Sequence, residues 1–144
     1  MDERLHKRLH LAQALLFGLP GVLLGGIVAL VSVYAGLMQE TRLLSRLLLV
    51  CWGVGGTLGI VAWLRIGADF VLLGRSGLQA IGRVWWGLLL LGALAAIPAA
   101  VLGLAVGLTE RAQGFALLLF GPPLLLPAAH LAWLRWRHPL AEAA

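Results

Sequence analysis

No Lys, Arg, Asp or Glu occurs from Leu9 to Gln39, and three further charge-free apolar runs follow it along the chain. Hydrocarbon offers no water to satisfy backbone N–H and C=O groups, so a run of about 20 such residues crosses a bilayer as a helix. The chain therefore reads as all-α, an integral membrane four-helix bundle with spans at about 11–37, 47–64, 84–108 and 114–134. With 144 residues, four spans leave room for one polytopic domain, 1–144, and for no separate soluble one. Composition agrees: 61% of residues are hydrophobic and 12% charged, against about a quarter charged in soluble domains.

The first run resembles a signal peptide in its basic start, MDERLHKR, but its length suits an uncleaved first helix better than a short h-region. Pro20 falls near the cytoplasmic end of that helix, where a missing amide donor is most easily tolerated. QETRLLSR from Gln39 to Arg46 reads as a turn before the second span. Pro98 is expected to kink the third span, and Pro122, Pro123 and Pro127 to bend or break the fourth.

The segment 65–83 separates the two apolar halves and carries Arg65, Arg75 and Arg83 against Asp69 alone. Ile66, Phe70 and Leu73 continue the helical spacing of the second span, and Gly74-Arg75-Ser76-Gly77 signals a turn. Beyond it, Arg75, Gln79 and Arg83 share one face, as in a short amphipathic segment resting on the membrane.

Charge sets the orientation. With the N-terminus inside, Arg4, Lys7, Arg8, Arg65, Arg75, Arg83, Arg135 and Arg137 are cytoplasmic and only Arg42, Arg46 and Arg111 are outside, eight against three. Trp63, Trp85, Trp86, Trp133 and Trp136 are expected at the inner boundary, with Tyr34 and Trp52 nearer the outer one. Both termini are thus expected inside, in a bacterial cytoplasmic membrane. Matching Glu/Arg outer turns and Trp/Arg helix ends in the two halves also suggest two tandem hairpins.

Small residues recur at four-residue steps: Gly21 and Gly25, Gly55 and Gly59, Gly103 and Gly107. Such stripes let helix backbones approach closely where lipid removes the ordinary hydrophobic drive. Their bland use, packing, explains more of the chain than a binding role. The net charge of +5 sits beside the apolar runs, so Arg65, Arg75, Arg83, Arg135 and Arg137 are read as contacts to anionic lipid or a partner, and nucleic acid is set aside.

Chemistry is sparse. One cysteine, Cys51, forms no internal disulfide, and no Cys/His spacing marks a metal site. A haem held between His10 and His130 would need both on facing helices; of the four histidines only His130 reads as buried, with His10 at a membrane boundary, so no cofactor is assigned. Ser32, Ser45, Ser76 and Cys51 lack a recognisable His/Asp arrangement, so the chain is read as non-catalytic. Arg65 and Asp69 stand four apart, either at the interface or, if the second span is shifted, inside the membrane. The function that fits best is a subunit or assembly partner of a larger membrane complex, or a homo-oligomer, packing through the small-residue faces. The alternative is a small oligomeric transporter, channel or lipid-translocating protein with a path past Asp69, Pro122, Pro123, Pro127 and His130.

Overall fold

A computed structural model describes residues 3–40, 42–110, 117–119 and 122–136. α1 (Glu3–Gln13) runs through a π-helical segment (Ala14–Gly18) into α2 (Leu19–Met38); α3 (Leu43–Leu73) and the short α4 (Arg75–Ala80) lead to α5 (Arg83–Glu110). Two 3-10 turns, Leu117–Leu119 and Pro122–Leu124, precede α6 (Leu125–Trp136). Three helices are long and apolar enough to cross a membrane: Arg4–Met38, Leu43–Leu73 and Arg83–Thr109. The fourth expected span falls partly outside the described residues, and its described helical part, α6, has 12 residues.

The π segment lies one turn before Pro20. A proline ring collides with the carbonyl four residues earlier, here that of Leu16, and widening the turn relieves the collision. α3 begins at Leu43, inside the stretch expected to be a turn. Arg46 on its first turn donates to the carbonyl oxygens of Gly36 (3.0 Å) and Leu37 (3.1 Å), satisfying the open end of α2.

α3 is the axis of the fold, packing on α2 along one side and α5 along the other. The closest approach is between glycines: a Cβ built on Gly59 would collide with the Cα of Gly92, and the reverse holds for Gly92. Against α2, a Cβ on Gly53 would strike the Ala29 carbonyl oxygen. Pro98 lies within α5, which continues through it. A proline disturbs the helical bonds of the preceding turn, and there Trp52 Nε1 of α3 donates to the Ala95 carbonyl oxygen at 2.6 Å. Thr57 returns its hydroxyl to the Gly53 carbonyl (2.9 Å) and Ser32 its own to that of Val28 (2.7 Å), so both are satisfied inside their helices.

Gly74 ends α3 with φ 70°, a conformation L side chains rarely adopt. The chain then folds back so tightly that a Cβ on Gly77 would lie 2.5 Å from the Asp69 carbonyl oxygen. The apolar side of α4 turns into the protein. Leu78 and Ile81 join Ile66, Phe70, Trp86, Leu89, Leu131 and Leu134 in the one buried cluster at this end of the molecule, while Arg75, Gln79 and Arg83 stay exposed. Trp63 and Trp86 also depart from the expected interfacial belt, being 6% and 9% exposed. Gly18 makes the room for Trp63, since a Cβ there would come within 2.5 Å of the indole ring.

Replacing Gly92 by Val should cost at least about 2 kcal/mol through overpacking of the α3–α5 crossing. Gly87→Ala, on an open face of α5 with nothing within 4 Å of the added methyl, should be neutral or stabilising by about 0.5 kcal/mol. Denaturant unfolding of the two variants in detergent micelles checks the contrast.

Candidate functional site

Of the buried polar residues, Ser32 lies within α2, and His6 and His10 lie at the end of the bundle where α1 begins and α3 and α6 end. His6 and His10, one turn apart on α1, are 3% and 2% exposed. The expectation that only His130 is buried is thus reversed: His130, on α6, is partly buried. The cause is α1 itself, which docks on α3 and α6 instead of standing free as a charged terminus.

The three imidazoles converge. The His130 ring centroid is 5.9 Å from that of His6 and 6.2 Å from that of His10. Aromatic rings surround them: His10 meets Phe70 edge-on at 5.4 Å and Trp63 at 6.4 Å, and His6 meets Trp133 at 6.0 Å. His130 Nδ1 lies 2.8 Å from Gln13 Oε1. At that separation the ring nitrogen and the amide are hydrogen-bonded, which ties α6 to the end of α1. By contrast Nδ1 of His6 and Nδ1 of His10 are buried without a hydrogen-bond partner among the described residues, each a cost of about 1–3 kcal/mol. Among the described residues no three His, Cys, Asp or Glu side chains stand at metal-holding geometry.

On the other side of His10, α1 and α3 part to leave an apolar groove of about 390 Å³ between Leu11, Ala14, Trp63, Leu64, Gly67, Ala68, Val71 and Leu72. A second cavity, about 80 Å³, lies between α2, α3, α5 and α6 and is lined by Gly, Ala, Val, Leu, Ile and two Trp residues. None of Asp69, Pro122, Pro123, Pro127 or His130 lines that central cavity. Pro127 is fully buried, Pro122 and Pro123 are half-buried in a 3-10 turn, and His130 is held by Gln13. Asp69 pairs with Arg65 at 3.3 Å, its side chain 18% exposed and that of Arg65 60%. The five residues expected to form one path are therefore divided between α3, the turn before α6, and α6.

The other expected sites divide likewise. Arg65, Arg75 and Arg83 are exposed, as a lipid or partner contact requires. Arg135 is instead committed within the chain. Its Nη1 donates to the Leu78 and Ile81 carbonyl oxygens at 3.3 and 3.2 Å, and its guanidinium lies 4.7 Å over the Trp86 ring. The end of α4 has unsatisfied carbonyls, and a planar cation beside an indole fits them better than open water does. Arg137 lies outside the described residues.

Of the expected packing glycines, Gly21 meets Leu124, Gly55 meets Leu91 and Gly59 meets Gly92, all within this chain. Gly25 lines the central cavity, and Gly103 and Gly107 are buried. Sequence reasoning missed Gly92, which follows four leucines without a partner glycine at a four-residue step. It also missed His6, although His6, His10 and Gln13 recur at helical spacing on one face.

Arg135→Gln should lower stability by about 1–3 kcal/mol, because two carbonyls lose a charged donor and Trp86 its cation. Arg75→Gln, exposed on α4, should change it by less than about 0.5 kcal/mol. Thermal unfolding in detergent separates the two. Comparison with family models, with curated proteins and with solved structures finds no match to this chain.

Proposed function

We propose that the chain is a non-catalytic membrane subunit or assembly partner, a four-helix bundle with both termini inside, whose outer helix faces meet a second membrane protein. One observation carries this reading. Along α5 the residues Leu90, Leu94, Ile97, Val101, Leu104 and Leu108 are all exposed, and they alternate steps of four and three. That alternation suits the seam of two helices packing side by side. In the most apolar windows of the three long helices, only 17%, 28% and 11% of residues are buried inside the chain, the last being α5.

Gly21, Gly55 and Gly59 of the small-residue stripes meet residues of this chain, and the exposed face of α5 offers a partner large aliphatic side chains. A transport path has less support, because the central cavity has no charged residue in its lining. Exposed Arg65, Arg75 and Arg83 supply contacts to anionic lipid in the inner leaflet.

Mild detergent extraction followed by affinity purification should recover a second membrane protein in fixed ratio. The triple change Leu94→Ala, Ile97→Ala, Val101→Ala should reduce that recovery at least about tenfold, equivalent to about 1.4 kcal/mol, with the chain still inserted. Isolation as a homogeneous homo-oligomer that conducts ions or solute in vesicles would contradict the subunit reading.

A further inference from the structure

The docking of α1 is unusual in its chemistry. Its buried side chains are His6 and His10, whereas Leu5, Leu9 and Leu11 are 52%, 44% and 44% exposed. An amphipathic helix ordinarily docks by its aliphatic residues. Here the aliphatic residues face outward and two imidazoles face a third. We propose that α1 is a proton-released latch: protonation where His10 faces His130 undocks α1 from α3 and α6, and the helix turns about the π segment Ala14–Gly18.

Four observations support the device. First, ring centroids about 6 Å apart leave no room for water to screen two imidazolium charges. Second, Nδ1 of His10 is buried with no hydrogen-bond partner among the described residues, so a second N–H on that ring adds a donor that only undocking can satisfy. Third, the π segment follows α1 directly, and such insertions are weak points in a helix, frequent at functional sites. Fourth, the groove between α1 and α3 leaves part of the α1 face without packed neighbours.

No described side chain facing the cluster is an anion placed to relieve a buried imidazolium. On α1 itself Arg4, Lys7 and Arg8 outnumber Glu3, so the helix is net positive, and Arg4 and Arg8 are exposed. The π segment has no ionisable residue. α3 turns Trp63, Gly67 and Phe70 to His10; of its charged residues Arg65 and Asp69 are paired with each other, and Arg46 is at the far end on the last carbonyls of α2. α6 brings His130 itself and Arg135, which is held by the Leu78 and Ile81 carbonyls. Docking therefore leaves a charge on His10 without support, and by linkage a fall in pH favours release. The helix set free carries Arg4, Lys7 and Arg8, a composition suited to an anionic membrane surface.

The test uses full-length chain with Cys51→Ser in phosphatidylcholine vesicles, spin-labelled at Arg4→Cys on α1 and Gln79→Cys on α4, with inter-label distances read by pulsed electron resonance. From about pH 7.5 to about pH 5, a range spanning the ordinary imidazole value of about 6.5, a single short distance should give way reversibly to a longer, broader distribution. His6→Leu with His10→Leu should keep the short distance at both ends. An unchanged distribution in the parent chain overturns the proposal, as does a shift that persists in the double Leu variant. Where the double variant does not insert, His130→Leu serves: it should move the transition to lower pH, and an unmoved midpoint counts against the latch.

Discussion

The rest of the molecule depends on the contact between Gly59 of α3 and Gly92 of α5. In a membrane, apolar side chains gain little by leaving lipid for one another, so helices associate by close packing and by the few hydrogen bonds that packing permits. Two glycines with backbones in contact bring α5 near enough for Trp52 to reach the Ala95 carbonyl beside Pro98. The same closeness fixes α5 while the tight fold-back at Gly74 and Gly77 turns the chain between the two helices. Without it, the buried cluster at the junction loses Trp86 and Leu89.

That cluster gives the molecule two unlike ends. At the α2–α3 turn, described contacts are local: Arg46 covers the last carbonyls of α2. At the junction end, α1, α3, α4, α5 and α6 all meet, and buried there are Trp63, Trp86, His6 and His10, each with a ring nitrogen that has no hydrogen-bond partner among the described residues. Unsatisfied buried polar atoms mark places where the native arrangement is held by its surroundings and not by local preference. The proposed movement of α1 draws on this imbalance.

Much of the fold was legible because bilayer physics makes sequence speak plainly. Charge-free runs of spanning length located α2, α3 and α5, and Gly74 located the end of α3. What was not legible depended on tertiary contact. Arg135 looks like any basic residue at a helix end until α4 presents two carbonyls to it. Leu78 and Ile81 sit in a pattern that suits a membrane surface equally well, and only α6 decides that they face inward. Gly92 has no glycine neighbour at the spacing that marks a packing stripe; its partner, Gly59, lies on another helix. The histidine cluster was half visible, since the periodicity of His6, His10 and Gln13 is in the sequence but the facing His130 is more than a hundred residues away.

The account rests on α3 as a spanning helix with the α2–α3 turn and the junction on opposite sides of one bilayer. The most direct measurement is labelling by a membrane-impermeant maleimide of single cysteines placed at exposed Gln39 and exposed Gln79, in a Cys51→Ser chain reconstituted with one orientation. Gln39→Cys and Gln79→Cys should react from opposite faces of the vesicle. Reaction of both from the same face would contradict the architecture.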